Sequence, residues 1–342
     1  MIKEKKTVQI DKIIAIPSRQ FVPYTIPTLI NKFNFFNELK NLQPCSLETI
    51  SKHFRFDERV LEAVLSYLLK EGFIQNIDNK FTLSRLSSEF LVKGAKYDLS
   101  PFALLLQDNV PMKNEEAISY SLTTGKPAIW NSGSGAWKDG MRSGSLSKTF
   151  SDAMMSRGEY LKDALSIYLQ NTMKGHNKLL DIGGSLGDYC GMFTEKFRNL
   201  TSDVYELPKV AENARENIKI KKYRGVNVVE GDMFRDDFPK GYDVHFYSNV
   251  MHDWTAAQIG YLLKKSFDSL DKGGIVIIHD MHLNDDKKSP DFVVDHSLYL
   301  SVFTEGKCYS YEEMKSFLVR VGFSKIKIIK TVVGYSAIIG AK

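Results

Sequence analysis

Cysteine is scarce in this chain: Cys45, Cys190 and Cys308 stand far apart and are odd in number. None sits in a Cys-x-x-Cys, so neither a disulfide framework nor a zinc site is specified. Long apolar runs are missing too, and nothing approaches the ~18 residues of a membrane span. The basic N-terminus meets Asp11 and Lys12 before a signal-peptide core can form. These gaps point to a reducing, cytoplasmic setting and away from a membrane. Nor is one sign of charge in excess, the net being +5 over 342 residues. Lys3, Lys5 and Lys6, and further on Lys219, Lys221, Lys222 and Arg224, read as solvated surface; a nucleic-acid face needs a denser basic stripe. No repeat or low-complexity segment is found.

What is present is ordinary globular material, 43% apolar and 25% charged, in a chain longer than the ~250–300 residues at which single cores stop growing. Two domains are expected. Residues 1–100 read as mainly helical. Ser18 to Leu42 is one helical stretch whose start Pro23 and Pro27 break. Leu47–His53 and Glu58–Lys70 follow as short helices, the second with Asp57 as its N-cap and Gly72 at its end. Phe73–Ile77 and Lys80–Leu83 alternate as two strands around Asp78-Asn79. Helices followed by a hairpin make a winged-helix-like pattern. Its second short helix offers Glu58, Arg59, Glu62 and Ser66, acidic where phosphate contacts are wanted, so a structural or dimerising role is favoured over DNA binding. Residues 101–165 form a helical linker. Its loops between Tyr120 and Trp137, Trp130 among them, either line a small-molecule cavity or are plain surface.

From Lys178 the texture changes to strands alternating with helices, the signature of a parallel sheet with crossovers. Residues 166–342 are therefore expected to form an α/β, Rossmann-like, seven-stranded domain. Its strands are Lys178–Ile182, Asp203–Tyr205, Val226–Val229, Val244–Tyr247, Ile275–His279 and a final antiparallel pair, Ile326–Ile329 with Ser336–Ile339. The first strand runs into Asp181-Ile182-Gly183-Gly184-Ser185-Leu186-Gly187, and a helix follows from Asp188 to Phe197. A dinucleotide fingerprint fails in both registers. From Gly183 the later glycines become Ser185 and Asp188; from Gly184 they become Leu186 and Tyr189. The Gly-Lys-Ser/Thr of a P-loop is also absent. The loop suits a nucleoside-like ligand without a dominant phosphate. Glu206, at the end of the second strand, is placed to accept hydrogen bonds from ribose hydroxyls. Asp232 can accept from an adenine amino group while Met233 packs on the ring. Ser248 to Trp254 and His279-Asp280 close the next two strands on the rim where ligands of such sheets bind. There His252 is a candidate general base and Asp280 its orienting carboxylate. A metal cluster of His279, Asp280 and His282 is disfavoured, because alternation sends His279 and Asp280 to opposite faces.

Together these motifs resemble the caffeic-acid-type O-methyltransferase family of plants and bacteria. The resemblance lies in Leu179 to Gly187, Tyr205-Glu206-Leu207-Pro208 (Glu for the family's Asp), Gly231-Asp232-Met233-Phe234, Ser248 to Trp254, and Thr304 to Tyr311. It implies S-adenosyl-L-methionine as methyl donor, a small-molecule acceptor, a homodimer formed through the N-terminal domain, and no nucleic-acid partner. Donor contacts are implied for Asp181, Gly183, Gly187, Glu206, Leu207, Asp232, Met233, Ser248 and Arg157. Acceptor contacts are implied for Phe150, Met154, Trp130, Asn249, Tyr299 and Phe303. His252 matches the family's base and Asp280 its assistant. Two residues depart from the pattern. Ser185 replaces a usual glycine and is expected to fit with a negative φ. Cys308 stands where plant members have a second acidic helper. Methyl transfer to a hydroxyl is the leading reading. Transfer to sulfur or nitrogen, which needs no base, and a ligand-sensing winged-helix regulator remain as alternatives.

Overall fold

The computed structural model describes residues 11–104, 114–128 and 148–342, with only the backbone of 11, 14, 114 and 148–151. It falls into two compact units. One holds residues 11–104 and 148–159; the other holds 114–128 and 160–342.

The first unit is built of α1 (Asp11–Ser18), α2 (Val22–Phe33), α3 (Phe35–Leu42), α4 (Leu47–Phe54) and α5 (Glu58–Lys70). A hairpin of β1 (Ile74–Ile77) and β2 (Lys80–Leu83) follows, then the short α6 (Arg85–Phe90) and α7 (Ser100–Ala103). The prolines do not break the first stretch as expected. Pro23 sits in the first turn of α2, where no N–H is needed, and Pro27 lies inside the helix. The stretch is interrupted at 19–21, just ahead of α2, and again at Asn34, whose φ of 51° ends α2 and opens α3. Asp57 accepts from the Val60 N–H at 3.0 Å, capping α5. Asp78 and Asn79 both adopt left-handed backbone, φ 49° and 58°, the geometry of a tight two-residue hairpin turn. Phe35, Phe36, Leu39, Ile50, Leu61, Leu65 and Leu68 fill the core. Ile13, Ile16 and Phe21 are about 70% exposed, at 71%, 70% and 72%.

The second unit begins with α8 (Asn114–Thr124), and α9 (Lys148–Tyr168) passes from the first unit into it. Then come β3 (Lys178–Ile182), α10 (Asp188–Lys196), β4 (Thr201–Glu206), α11 (Pro208–Lys221), β5 (Val226–Glu230), β6 (Val244–Ser248), a 3-10 turn at Met251–Asp253, α12 (Ala256–Ser269), β7 (Ile275–Met281), α13 (Asp291–Phe303), α14 (Tyr311–Val321), β8 (Ser324–Lys330) and β9 (Tyr335–Ala341). The seven strands lie in the order β5-β4-β3-β6-β7-β9-β8. β3 to β7 are parallel, and β9 runs antiparallel to both β7 and β8. Both faces are covered. One core gathers Leu180, Ile182, Tyr247, Val276 and Ile278, and the other Leu179, Val204, Phe246, Ile277 and Ile339. Adjacent residues of one strand thus feed opposite cores, so these strands are continuously apolar. The strand order reverses between β3 and β6, the crevice where such sheets bind ligands.

Candidate active site

The loop after β3 is folded against its own strand. Gly183 and Gly187 take φ of 73° and 83°, backbone that only glycine adopts without cost. Gly184 is needed for room: a Cβ there would lie 2.6 Å from the carboxyl of Asp181. Ser185 corrects the sequence expectation, since its φ is +52°. The turn demands the left-handed region, at a cost of order 1–3 kcal/mol for a non-glycine residue. What holds it is its N–H, which donates to Glu206 Oε1 at 3.0 Å.

Glu206 stands at the carboxyl end of β4, 6% exposed. Its other oxygen accepts from the Leu207 N–H at 3.0 Å. Each carboxylate oxygen can accept twice, so one acceptor position per oxygen is left for a diol. Burial raises the Glu206 carboxyl above the usual range, and these two N–H donors oppose it. Asp181, fully buried beneath Gly184, is pushed up to about 8 by burial, and the Cys190 thiol donating at 3.6 Å acts against that. It props the loop from below, biased by burial toward its neutral form. Asp232 turns one oxygen to the Phe234 N–H at 2.9 Å and has Arg235 Nε 3.6 Å from the other. Met233 is half-buried against the core.

Across the reversal point, Val250 packs so closely that a Cβ on Gly183 would meet it at 2.9 Å. Ser248 Oγ pairs with His279 Nδ1 at 3.1 Å and accepts from Asn249 Nδ2 at 3.2 Å. Asn249 Oδ1 accepts from the Tyr335 hydroxyl at 2.6 Å. Both ends of the Asn249 amide are therefore engaged within the protein, and its φ of 56° is the left-handed value asparagine tolerates. The 3-10 turn then presents His252, 6% exposed. Its Nδ1–H donates to Asp280 Oδ1, and its backbone N–H donates to Asp280 Oδ2 at 3.2 Å. Asp280 also accepts from the Met281 N–H at 2.8 Å. Burial by itself raises the Asp280 carboxyl, but its pairing with His252, and after that the Met281 N–H, bring it below the usual carboxylate range. Asp280 is thus an anion and only accepts. In the neutral imidazole that puts the proton on Nδ1 and the lone pair on Nε2. Asp253 Oδ1 lies 3.6 Å from this Nε2. His282 is pushed down to about 4 by burial and is neutral. Among the described residues no group of three or more His, Cys, Asp or Glu is arranged to hold a metal.

The structure therefore brings Asp181, Gly183, Gly187, Glu206, Leu207, Asp232, Met233, Ser248, Asn249, His252 and Asp280 to one edge of the sheet. Tyr299 and Phe303 stack at 4.0 Å on α13, and Phe303 joins Tyr120 in packing on the small cluster of Ala117, Ala128 and Val302. Sequence reasoning passed over His296. It stacks on Tyr299 and meets the His252 ring edge-on with centroids 6.1 Å apart. The spacing His296, Tyr299, Phe303 was the available signal, a one-face helical stripe. Arg157 and Met154 belong to the first unit, where the Arg157 guanidinium donates to Met154 Sδ at 3.3 Å and lies over Phe102. Trp130 and the Phe150 side chain lie outside the described residues. Cys308 is fully buried, and burial raises its thiol far up, so it supplies no charge at this place.

Comparison with known proteins bears on the fold and the family. Acetylserotonin O-methyltransferase of Gallus gallus is 30% identical over 165 residues, 48% of this chain and 47% of that protein, so the match spans about half the length of that relative. Isoflavone 7-O-methyltransferase of Glycyrrhiza echinata is 24% identical over 323 residues, 90% of this chain and 86% of that one. The solved structure of human N-acetylserotonin methyltransferase in complex with SAM has the same fold, with a TM-score of 0.74 at 17% identity over 100% of this chain and 99% of that one. A family profile described as the O-methyltransferase domain matches residues 105–324, well over half of the sequence, and the chain belongs to the O-methyltransferase family.

Proposed function

We propose that this protein is an S-adenosylmethionine-dependent methyltransferase that methylates a hydroxyl of a small molecule with His252 as general base. The observation that carries this reading is the His252–Asp280 pair, set on the same rim as the glycine loop and Glu206. The residues present fit the donor. Glu206 has acceptor capacity left on both oxygens for a ribose diol, and the loop offers close backbone approach. When bound, S-adenosylmethionine supplies a methyl group made electrophilic by its sulfonium. The protein supplies alignment, worth ~7–11 kcal/mol, and a proton acceptor. Nε2 of His252 takes the hydroxyl proton as the oxygen attacks. Asp280 holds the ring in the required tautomer and balances the charge that forms on it. The stacked Tyr299–Phe303 face of α13 is the proposed wall for the acceptor, with Asn249 at its rim.

The first unit is proposed to pair two copies of the chain through its exposed Ile13, Ile16 and Phe21, and light scattering on purified protein checks that. The three unpaired thiols fit a cytoplasmic protein.

The test is His252→Ala, assayed as S-adenosylhomocysteine released with a panel of phenolic, amine and thioether acceptors. Turnover on a hydroxyl should fall by on the order of 10²–10⁴, with donor affinity by calorimetry unchanged. Undiminished turnover would show that the acceptor needs no base, and transfer to nitrogen or sulfur would replace the present reading.

A further inference from the structure

The turn that carries His252 is gripped by the segment after α13. Gly306 lies so near it that a Cβ there would fall 2.2 Å from the His252 carbonyl oxygen, 2.6 Å from the Trp254 nitrogen and 2.8 Å from the Asp253 carbonyl carbon. All three are main-chain atoms, so none can swing aside as a side-chain end would. The φ of Gly306 is not in the left-handed region, so the position demands space and not conformational freedom. The same segment holds the turn at two more points. The Tyr309 hydroxyl donates to the Trp254 carbonyl at 2.7 Å. Gln258, in the first turn of α12, donates to Glu305 Oε2 at 2.9 Å. Thr304 ties the segment back to α13, donating to the Leu300 carbonyl at 3.0 Å and accepting from the Gly306 N–H at 3.2 Å.

We propose that Gly306, seconded by Tyr309, is a positioning residue for His252. The stretch Thr304–Tyr309 sets the height and tilt of the imidazole and makes it one piece with α13, which carries His296, Tyr299 and Phe303. This rests on the reading of His252 as base and extends it: base and acceptor wall are placed by a single clamp. A methyl at position 306 needs ~3.3–3.6 Å from the carbonyl oxygen, so the His252 backbone must retreat by roughly 1 Å. The His252 N–H to Asp280 bond, 3.2 Å long, does not survive that retreat.

The test reads the imidazole directly. In the parent protein the Nδ1–H held by Asp280 gives a proton resonance far downfield of the amides, assigned by its loss in His252→Ala. Gly306→Ala is expected to abolish or move that resonance. It should also lower turnover of S-adenosylmethionine with catechol, the probe acceptor, by roughly 10²-fold, while donor affinity by calorimetry stays where it was. Gly260→Ala is the control, because a Cβ there meets nothing within 4 Å; resonance and turnover should both be unchanged. Should Gly306→Ala not fold, Tyr309→Phe decides. It loses only the bond to the Trp254 carbonyl and is expected to shift the same resonance and reduce turnover. A folded Gly306→Ala, or failing that Tyr309→Phe, that keeps both the resonance and the turnover of the parent overturns the proposal. A parent that shows the resonance but methylates no acceptor sinks the functional reading, and the clamp then stands or falls on the resonance alone.

Discussion

Replacing Asp280 by Asn keeps the shape of the buried side chain and removes only its charge and one acceptor. The carboxylate now receives three donors: the imidazole Nδ1–H and the Met281 N–H on one oxygen, and the His252 N–H on the other. An amide cannot serve all three. With its oxygen toward the imidazole, its NH₂ faces the His252 backbone N–H, and a donor meets a donor in a site only 2% exposed. With the amide flipped, the NH₂ faces Nδ1, which must then accept; the imidazole proton moves to Nε2, the atom required as base. The first arrangement costs about 1–3 kcal/mol of stability as an unsatisfied buried group, and the second removes the base. Turnover should fall on the order of 10²–10⁴. The stability loss should depend on pH. Because the folded protein holds this carboxyl below the usual range, its contribution is complete above the unfolded-chain value of ~3.9 and vanishes as acid protonates it in the fold. Urea unfolding of parent and variant should therefore diverge near neutrality and converge at low pH, while release of S-adenosylhomocysteine reports turnover. A variant that turns over like the parent, with a stability gap independent of pH, would refute the assignment of Asp280 as a charged orienting partner.

Asp181→Asn should behave in the opposite sense. Burial pushes the Asp181 carboxyl up to about 8, so the stability it favours is full below ~3.9 and is lost as pH rises through about 8. The variant, which does not titrate, should gain on the parent between those limits, as urea midpoints at pH 5, 7 and 9 will reveal. Tyr335→Phe strips Asn249 Oδ1 of its donor and should cost about 1 kcal/mol in urea unfolding; no change would mean that the hydroxyl is idle. Gly184→Ala places a methyl 2.6 Å from the Asp181 carboxyl. Overpacking of ~1–3 kcal/mol and weaker donor binding by calorimetry should follow, and unchanged donor affinity would dissociate this loop from the ligand.

Much of the sheet was legible because the strands that build it are apolar on both faces. Lys178–Ile182 is found where it was expected, as is the hairpin around Asp78-Asn79. β7, however, runs on to Met281. His279-Asp280 looks like a strand's polar exit, yet these side chains find partners inside the fold: Asp280 in the imidazole, His279 in Ser248. The last two strands were expected to pair antiparallel, and they do. That the later one lies inside the earlier was not readable, since no local pattern states which strand meets β7. The His252–Asp280 pair was visible as residues at the ends of neighbouring strands. Tyr335, which steadies Asn249 across 86 residues of sequence, has no local signal. Neither has Gly306, because a glycine kept for space looks the same in sequence as one kept for a turn. Ser185 was misjudged on a real preference: the N–H it gives to Glu206 outweighs the backbone cost, and that donor–acceptor match becomes visible only once β3 and β4 are adjacent.

The reversed direction of β9 has a consequence for how the ligand edge is furnished. Parallel strands deliver their last residues to that edge, and whatever follows must leave at once for a crossover helix. An antiparallel neighbour arrives there with its first residues instead. Tyr335 and Ser336 open β9 opposite Met281 and Asp280, so two hydroxyls are delivered from behind by a strand whose remaining length is spent in the core. The anchorage of the chemistry thus depends on a hairpin that makes no crossover of its own. A variant that loosens β8 from β9 should unsettle the far edge of the sheet before it disturbs the glycine loop.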